Sequence, residues 1–273
     1  MYPLLTLLLA SLTWFTSIGV LTASTTSPAT APATALPEDA TARQVLEALE
    51  AAGQDLRTLQ ADITLTEADP AIGANPPRSG RVLLLDEAGR QQVRVILETK
   101  EVNGQPVEER IEYLVEGDRI IERNYNRKVE VTRTLGGGQG DGGQGEGGQG
   151  EGQAGRDLFR LGSGPVPLLI GQSPADVEAA FAVEKRAPTR RDPAGTVHLR
   201  LTPLPAGGFA EQFAWVDVWV TRDTGLPARV RTLDANQTTL RTTDLAGLRL
   251  NAPLPADAFA MPPVGNDWQR IME

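Results

Sequence analysis

The chain contains no cysteine and a single histidine, His198, among its 273 residues. The absence of cysteine excludes disulfide bonds, thiol nucleophiles, iron–sulfur clusters and Cys-ligated zinc within this chain. One histidine also excludes a metal site built from several imidazoles. Aromatic residues make up 5% of the chain and hydrophobic residues 40%, which predicts a globular core built mainly of aliphatic side chains.

Positive charge is scarce as well. The chain has 26 Lys and Arg against 35 Asp and Glu, so its formal net charge is −9 at pH 7. Nucleic-acid binding depends on clustered Lys and Arg that neutralise phosphates. The composition therefore argues against a nucleic-acid partner.

The first 23 residues predict export from the cytoplasm. Residues 3–22 form an apolar run without a charged side chain, and the first basic residue is Arg43. This run fits the core of a signal peptide that lacks its usual basic start, and it is also long enough to cross a bilayer. Two alternatives stay open, a cleaved signal peptide on a periplasmic protein and an uncleaved anchor in the inner membrane.

Two further segments have a composition that does not favour a packed core. Residues 24–37 are small, uncharged and rich in proline, which predicts a disordered linker. Residues 136–155 repeat Gly, Gln and an acidic residue with a period of five, which predicts a flexible insertion without chemistry of its own. The folded domain is then expected to span residues 38–268.

The pattern within that domain predicts a mainly β (α+β) fold. Apolar residues at helical spacing over 37–59 predict a leading amphipathic helix, and Ser173-Pro174 predicts the start of a short second helix. Alternating apolar and polar residues predict about ten antiparallel strands, joined by turns such as Asn103-Gly104. A curved sheet of this size needs apolar groups that pack against one of its faces. The leading helix, residues 168–170 or a ligand could supply them.

The C-terminal third carries the motifs of a known family. One strand ends in a turn from Asp223 to Gly225, and the next ends in an Asp/Asn turn at 234–236. A closing pattern of spaced residues follows, at Leu254, Phe259, Met261, Pro263 and Gly265. With these motifs the chain resembles the LolA-type periplasmic lipoprotein carriers over roughly 37–265. Residues 161–172 also resemble the outer-membrane lipoprotein-sorting proteins of that family.

This resemblance implies a half-open, strongly curved antiparallel β-barrel whose helices cover the concave face as a lid. Acyl chains of a lipoprotein would lie between sheet and lid, without a cofactor, a metal or catalysis. The implied partners are the acylated lipoprotein or another lipid, an inner-membrane donor transporter and an outer-membrane acceptor, and the carrier would be a monomer. The family also has an arginine in an early strand that bonds to the lid, and Arg81, Arg90 and Arg94 all lie near that position.

The residues expected to line the acyl-chain cavity and its lid are apolar side chains of the strands and of the block before the second helix. They are Ile63, Leu65, Leu83, Leu85, Val93, Val95, Leu97, Tyr113, Val166, Leu168, Leu169, Ile170, Trp215 and Trp219. For Trp215 and Trp219, core packing between sheet and helix is the alternative to lipid contact.

Two other functions stay open. One is a membrane-tethered sensing or regulatory module of the same fold that detects lipoproteins or lipids, which an uncleaved segment 3–22 would favour. The other is an enzyme that acts on lipids or glycans through carboxylates alone. His198 alternates with Thr196 and Arg200 on the polar face of a strand, so we expect it to be solvated rather than a catalytic base.

Overall fold

The computed structural model of this protein describes residues 35–87, 90–134 and 169–273. The two α-helices are α1 (Ala42–Gly53) and α2 (Pro174–Ala180). The strands are β1 (Thr58–Asp69), β2 (Gly73–Ala74), β3 (Arg78–Glu87), β4 (Arg90–Val102), β5 (Gln105–Glu116), β6 (Arg119–Asn124), β7 (Val129–Thr134), β8 (Phe181–Lys185), β9 (Thr196–Pro203), β10 (Phe213–Thr221), β11 (Pro227–Asp234), β12 (Leu240–Leu250) and β13 (Gln269–Met272). A short 3-10 helix, Pro205–Gly207, lies between β9 and β10.

Both predicted helices are present, and side chains cap their N-termini. The Thr41 side chain accepts a hydrogen bond from the Gln44 amide, and the Gln44 side chain accepts one from the Thr41 amide, which forms a capping box. Ser173 accepts from the Asp176 amide in the same way, and Pro174 occupies the first turn of α2 as predicted. Helix α1 is shorter than the predicted span 37–59 because the cap sits at Thr41 and the chain is already extended at Thr58.

The strands form one curved sheet that does not close. Its order is β13-β7-β6-β5-β4-β3-β1-β12-β11-β10-β9-β8, with β2 paired to β1. Strands β13 and β8 stand at the two ends, so the fold is the half-open antiparallel barrel that was predicted. The turn at Asn103-Gly104 has positive φ at both residues, as a two-residue hairpin turn requires. Strand β13 was not predicted, and it is parallel to its neighbour β7.

The two faces of the sheet have different partners, because successive side chains of a strand point to opposite sides. We call the face that carries the helices the concave face and the other the convex face. Leu59, Val82 and Val95 lie on the concave face, in a buried apolar cluster that includes Val45 and Leu49 of α1.

The C-terminal segment 252–268 crosses the convex face. Arg94 donates to the Ala258 carbonyl at 2.9 Å, and Arg123 donates to the Pro262 carbonyl at 2.6 Å. Both arginines are buried, so backbone carbonyls of this segment replace the water that the guanidinium groups would otherwise bind. The segment continues into β13, which pairs with β7 at the end of the sheet.

Three predictions on domain organisation lie wholly or mainly outside the described residues. These are the signal peptide or anchor at 1–23, most of the linker at 24–37 and the insertion at 136–155. Leu36 of the predicted linker is described, is buried, and its amide donates to the Arg222 carbonyl at 2.7 Å. Within the described part of the chain, neither helix has the length and apolar character that a membrane span requires.

Candidate binding site

The described residues that were predicted to line the cavity fall into two groups, one on the concave face and one on the convex face. Ile63, Val93, Val95 and Leu97 face the helices and belong to the buried concave cluster. Leu169 and Ile170, which precede α2, lie in the same cluster and are 1% and 5% exposed. Val166 and Leu168 lie outside the described residues.

Leu65 and Tyr113 lie at the edge of the concave cluster. Both are half-buried and pack against the cluster, as does Ile120 of β6. Tyr113 is level with Val95 of β4, so the apolar surface runs without a break from beneath the helices to this edge. We call Leu65, Tyr113 and Ile120 the concave rim.

Leu83 and Leu85 lie on the convex face and do not belong to the predicted cavity. Leu83 pairs with Arg94 of β4, whereas its neighbours Val82 and Leu84 face the helices. The run Val82-Leu83-Leu84-Leu85 is apolar at every position, so alternation alone does not indicate which residues face inward. The pairing of β3 with β4 shows which of these side chains face inward.

Trp215 and Trp219 also lie on the convex face. Their alternates Val216, Val218 and Val220 occupy the concave cluster. Apart from Asp217, strand β10 is apolar on both faces, so the alternation of its sequence does not reveal its orientation. Neither tryptophan packs between sheet and helix, and neither is in a position to line a concave cavity.

Among the described residues, Arg81, Arg90 and Arg94 form no ion pair or hydrogen bond with the helices. Arg81 and Arg90 form exposed ion pairs with Glu98 and Glu116. Arg94 is buried on the convex face, where it donates to Glu112 at 2.8 Å.

Other basic residues hold the helices in place. Arg43 of α1 pairs with Glu178 of α2, and Lys185 of β8 donates to the Ala40 carbonyl at 2.7 Å. Arg222, at the turn after β10, donates to the Glu38 carbonyl at 2.7 Å. These contacts join residues that are far apart in the sequence, so spacing alone could not have found them.

Charged pairs flank the concave rim. Arg241 of β12 donates to Glu67 of β1 through Nε and Nη2, at 3.0 and 2.6 Å. Burial raises the pKa of the Tyr113 hydroxyl, Glu122 and Glu67 act in the same direction, and Arg78 opposes them. The hydroxyl is therefore neutral at physiological pH, and the rim offers apolar surface beside paired rather than free charges.

The convex face carries a buried acid that sequence reasoning missed. Asp217 is fully buried and accepts hydrogen bonds from Nε and Nη2 of Arg200, both at 2.7 Å, and from Arg231 at 2.9 Å. His198 Nε2 lies 3.2 Å from its Oδ1. Burial alone would raise the pKa of Asp217, but the contacts with Arg200, His198 and Arg231 outweigh it and hold the pKa far below its ordinary value.

His198 is not solvated, contrary to the prediction. Its ring stacks on Trp219 with centroids 4.2 Å apart and planes 17° apart, and its side chain is 10% exposed. Arg200 lies over the ring of Trp215 at 4.4 Å, and Arg231 lies over both tryptophans. The tryptophans therefore shield the convex-face charges from water.

Two cavities open among the described residues, and convex-face side chains form most of their walls. The first, of about 590 Å³, lies among Asp62, Ser79, Arg191, Arg229 and Asp244. The second, of about 430 Å³, is lined by Lys185, Arg186, Ala187, Thr189, His198 and Arg200. Among the described residues, no three His, Cys, Asp or Glu side chains form a group that could hold a metal ion.

Gly53 allows the segment before α2 to approach α1, and this approach is testable. A Cβ at position 53 would lie 2.2 Å from Gly171 Cα, so Gly53→Ala must displace residues 169–171. We expect the free energy of unfolding, measured by urea denaturation, to fall by about 1–3 kcal/mol, although alanine is the better helix former. The exposed neighbour offers a control, since Gln54→Ala should change it by less than about 0.5 kcal/mol. Equal stability of the two variants would contradict the close approach.

Comparison with known proteins gives matches in structure alone. No family model and no curated protein matches the sequence. An uncharacterized conserved protein from Thermus thermophilus is 13% identical with a TM-score of 0.46, over 85% of this chain and 99% of that one. MucB in the Pseudomonas aeruginosa MucA/MucB complex is 15% identical with a TM-score of 0.39, over 81% of this chain and 60% of that one.

A LolA superfamily protein, NE2245 from Nitrosomonas europaea, is 13% identical with a TM-score of 0.32, over 81% of this chain and 98% of that one. The family to which the sequence motifs pointed is thus among the structural matches. At identities of 15% or less and TM-scores below 0.5, the function has to be argued from the residues of this chain.

Proposed function

We propose that this protein is a periplasmic carrier that binds acyl chains of lipoproteins against its concave face and moves them towards the outer membrane. One observation carries the proposal: the apolar surface of the concave face continues from the buried cluster to the half-buried side chains of the concave rim. Among the described residues, these rim side chains remain partly exposed.

The energetics of acyl binding fit an aliphatic surface of this kind. Each buried CH₂ group contributes about 0.8 kcal/mol, so two or three acyl chains can be held without directed polar contacts. The cluster beneath α1 is closely packed, with Leu46 and Leu49 at 2% and 1% exposure. Acyl chains would therefore bind first at the concave rim and extend inward as the helical cover moves.

In this role the protein is exported through residues 3–22, receives the acylated protein from a donor at the inner membrane and delivers it to an acceptor at the outer membrane. The helices that cover the concave face must then be able to move away so that the cargo is released. The ion pair between Arg43 and Glu178, which joins the two helices, is 51% and 41% exposed at its two side chains. Exposed pairs contribute about 0–1 kcal/mol, so this link does not lock the cover.

The co-purified material tests the proposal most directly. The full chain, expressed in a Gram-negative host and purified without detergent, should carry acylated peptide or lipid that mass spectrometry of an organic extract identifies. A protein that carries no apolar material, and that binds no triacylated peptide when one is supplied, would contradict the carrier function.

A pair of neighbouring residues separates concave binding from general loss of stability. Ile120 and Ile121 of β6 are both half-buried, but Ile120 faces the concave side and Ile121 the convex side. We expect Ile120→Asn to weaken binding of a fluorescent acylated peptide roughly tenfold, the loss that follows from removing one buried aliphatic side chain. Ile121→Asn should leave the affinity within about twofold. Equal affinities for the two variants would mean that acyl chains do not contact the concave rim.

A further inference from the structure

The smaller convex-face cavity, which we call the basic pocket, has the features of an anion site. Its lining includes Lys185, Arg186 and Arg200 together with His198. Arg190 and Arg191 lie outside the pocket lining in the loop from β8 to β9, so four of the 26 Lys and Arg of the chain lie within residues 185–191. This concentration stands out in a protein with a net charge of −9.

Three carboxylates close to the pocket, those of Asp217, Asp192 and Glu184, already have bonding partners in the chain. Asp217 lies beneath the pocket and shares its charge between Arg200 and Arg231. Asp192 accepts hydrogen bonds from the backbone amide and hydroxyl of Thr189. Glu184 pairs with Arg186 at 3.2 Å, with both side chains well exposed, so solvent weakens that pair.

Donors remain for a ligand. The bonds of Arg200 to Asp217 use Nε and Nη2, which leaves Nη1 as a further donor group. Arg186 bonds Glu184 through Nη1, which leaves Nε and Nη2 as further donors. Lys185 contributes none, because it pairs with Leu199 on the concave side and donates to the Ala40 carbonyl there. Nδ1 and Nε2 of His198, in the wall of the pocket, are both buried and have no hydrogen-bond partner among the described residues.

Asp217 gives this site the rigidity that ligand recognition needs. It fixes the Arg200 guanidinium by two bonds, and the ring of Trp215 covers the same group. His198 is held by its stack on Trp219. A cation that is already oriented loses little conformational entropy when an anion binds.

From this arrangement we infer that the basic pocket binds a phosphate group, either that of a small organic phosphate or that of a phospholipid headgroup. Two guanidinium groups, those of Arg186 and Arg200, favour an anion with more than one charge or several acceptor oxygens. A volume of about 430 Å³ exceeds the needs of a lone phosphate and leaves room for an attached organic group. The pocket lies on the face opposite to the concave rim, so it is independent of the proposed acyl-chain site.

The test uses the full chain and two kinds of probe. Glycerol 3-phosphate binding is measured by isothermal titration calorimetry. Vesicle binding is measured by co-sedimentation with phosphatidylcholine vesicles that contain or lack phosphatidylglycerol. Wild type and variants share residues 3–22, so any insertion of that segment is common to all samples. We expect at least one of the two phosphate-bearing probes to bind.

Variants of one loop assign the binding to the pocket. Arg186→Gln should weaken it roughly tenfold, the effect of losing one charge-assisted hydrogen bond. The control Arg190→Gln makes the same charge change at an exposed residue of the loop that does not line the pocket. It should change the affinity for the probe by less than about twofold. His198→Phe keeps a ring on Trp219, removes both ring nitrogens, and should also weaken binding.

The outcomes are distinct. Binding of the soluble probe that Arg186→Gln weakens supports the pocket with a small phosphate compound as its ligand. Binding restricted to vesicles with phosphatidylglycerol, with the same response to Arg186→Gln, supports the pocket with a lipid headgroup as its ligand. No binding in either arm, equal effects of Arg186→Gln and Arg190→Gln, or full affinity in His198→Phe would overturn the inference.

Discussion

Replacing Asp217 with asparagine is expected to lower the free energy of unfolding by about 3–5 kcal/mol. The carboxylate is fully buried and balances the charges of Arg200 and Arg231, whose side chains are only 27% and 34% exposed. Asparagine keeps the shape but removes the charge and turns an N–H group towards the two guanidinium groups. Removing one partner of a buried ionic network leaves the others uncompensated, which is why the loss exceeds that of a surface pair.

Asp244→Asn supplies the matched control. Asp244 accepts one hydrogen bond from Arg229, at 2.6 Å, and its side chain is 40% exposed. Because solvent screens this pair, we expect the same substitution to cost less than about 1 kcal/mol. Urea denaturation of the two variants and the wild type, followed by circular dichroism, measures the difference. Similar losses in both would show that burial of Asp217 adds nothing to its contribution.

The stability that Asp217 contributes should depend on pH in the acidic range. Its pKa is lower in the folded protein than in the unfolded chain, so the folded state binds fewer protons. The contribution is complete above the unfolded-state pKa of about 3.9 and is lost as the pH falls towards the folded-state value. The stability difference between wild type and Asp217→Asn should therefore be constant from neutral pH to about pH 5 and shrink below about pH 4. A difference that widened with falling pH would contradict the lowered pKa.

Replacing Leu169 with aspartate is expected to cost more than about 4 kcal/mol, because it forces a carboxylate into an apolar environment. If Leu169 belonged to the lid that the family resemblance implies, this substitution would abolish cargo retention and leave the sheet folded. The structure instead places its side chain, 1% exposed, in the same cluster as Val45 and Leu49 of α1. Loss of acyl binding in this variant would therefore follow from loss of folding.

Ile72→Asp tests whether the position rather than the substitution causes this loss. Ile72 lies in the turn between β1 and β2 and is 88% exposed, so we expect a change within about 0.5 kcal/mol. Thermal and urea unfolding of both variants provide the comparison. A Leu169→Asp protein with wild-type stability and no acyl binding would show that Leu169 lines an accessible cavity after all.

Local sequence patterns correctly predicted those features that depend only on residues close together along the chain. Ser173-Pro174 determined the start of α2, and Asn103-Gly104 determined the hairpin between β4 and β5. The span of α1 was overestimated, since helical spacing continues beyond a helix that Thr41 caps and Gly53 ends. Strand β13 was missed because it has only four residues, no turn precedes it in the pattern of a hairpin, and its residues do not alternate clearly between apolar and polar. It is parallel to β7.

The sequence by itself determined the class of fold, the antiparallel meander and the aliphatic character of the interior, because alternation and turn residues report local geometry. Tertiary structure alone decided the orientation of strands that are apolar on both sides. It turned Trp215 and Trp219 outward and Val216 and Val218 inward. It also brought Asp217 together with His198 and Arg200 of the neighbouring strand. The sequence did not predict this cluster, because the periodicity of one strand does not show which residues of a distant strand pair with it.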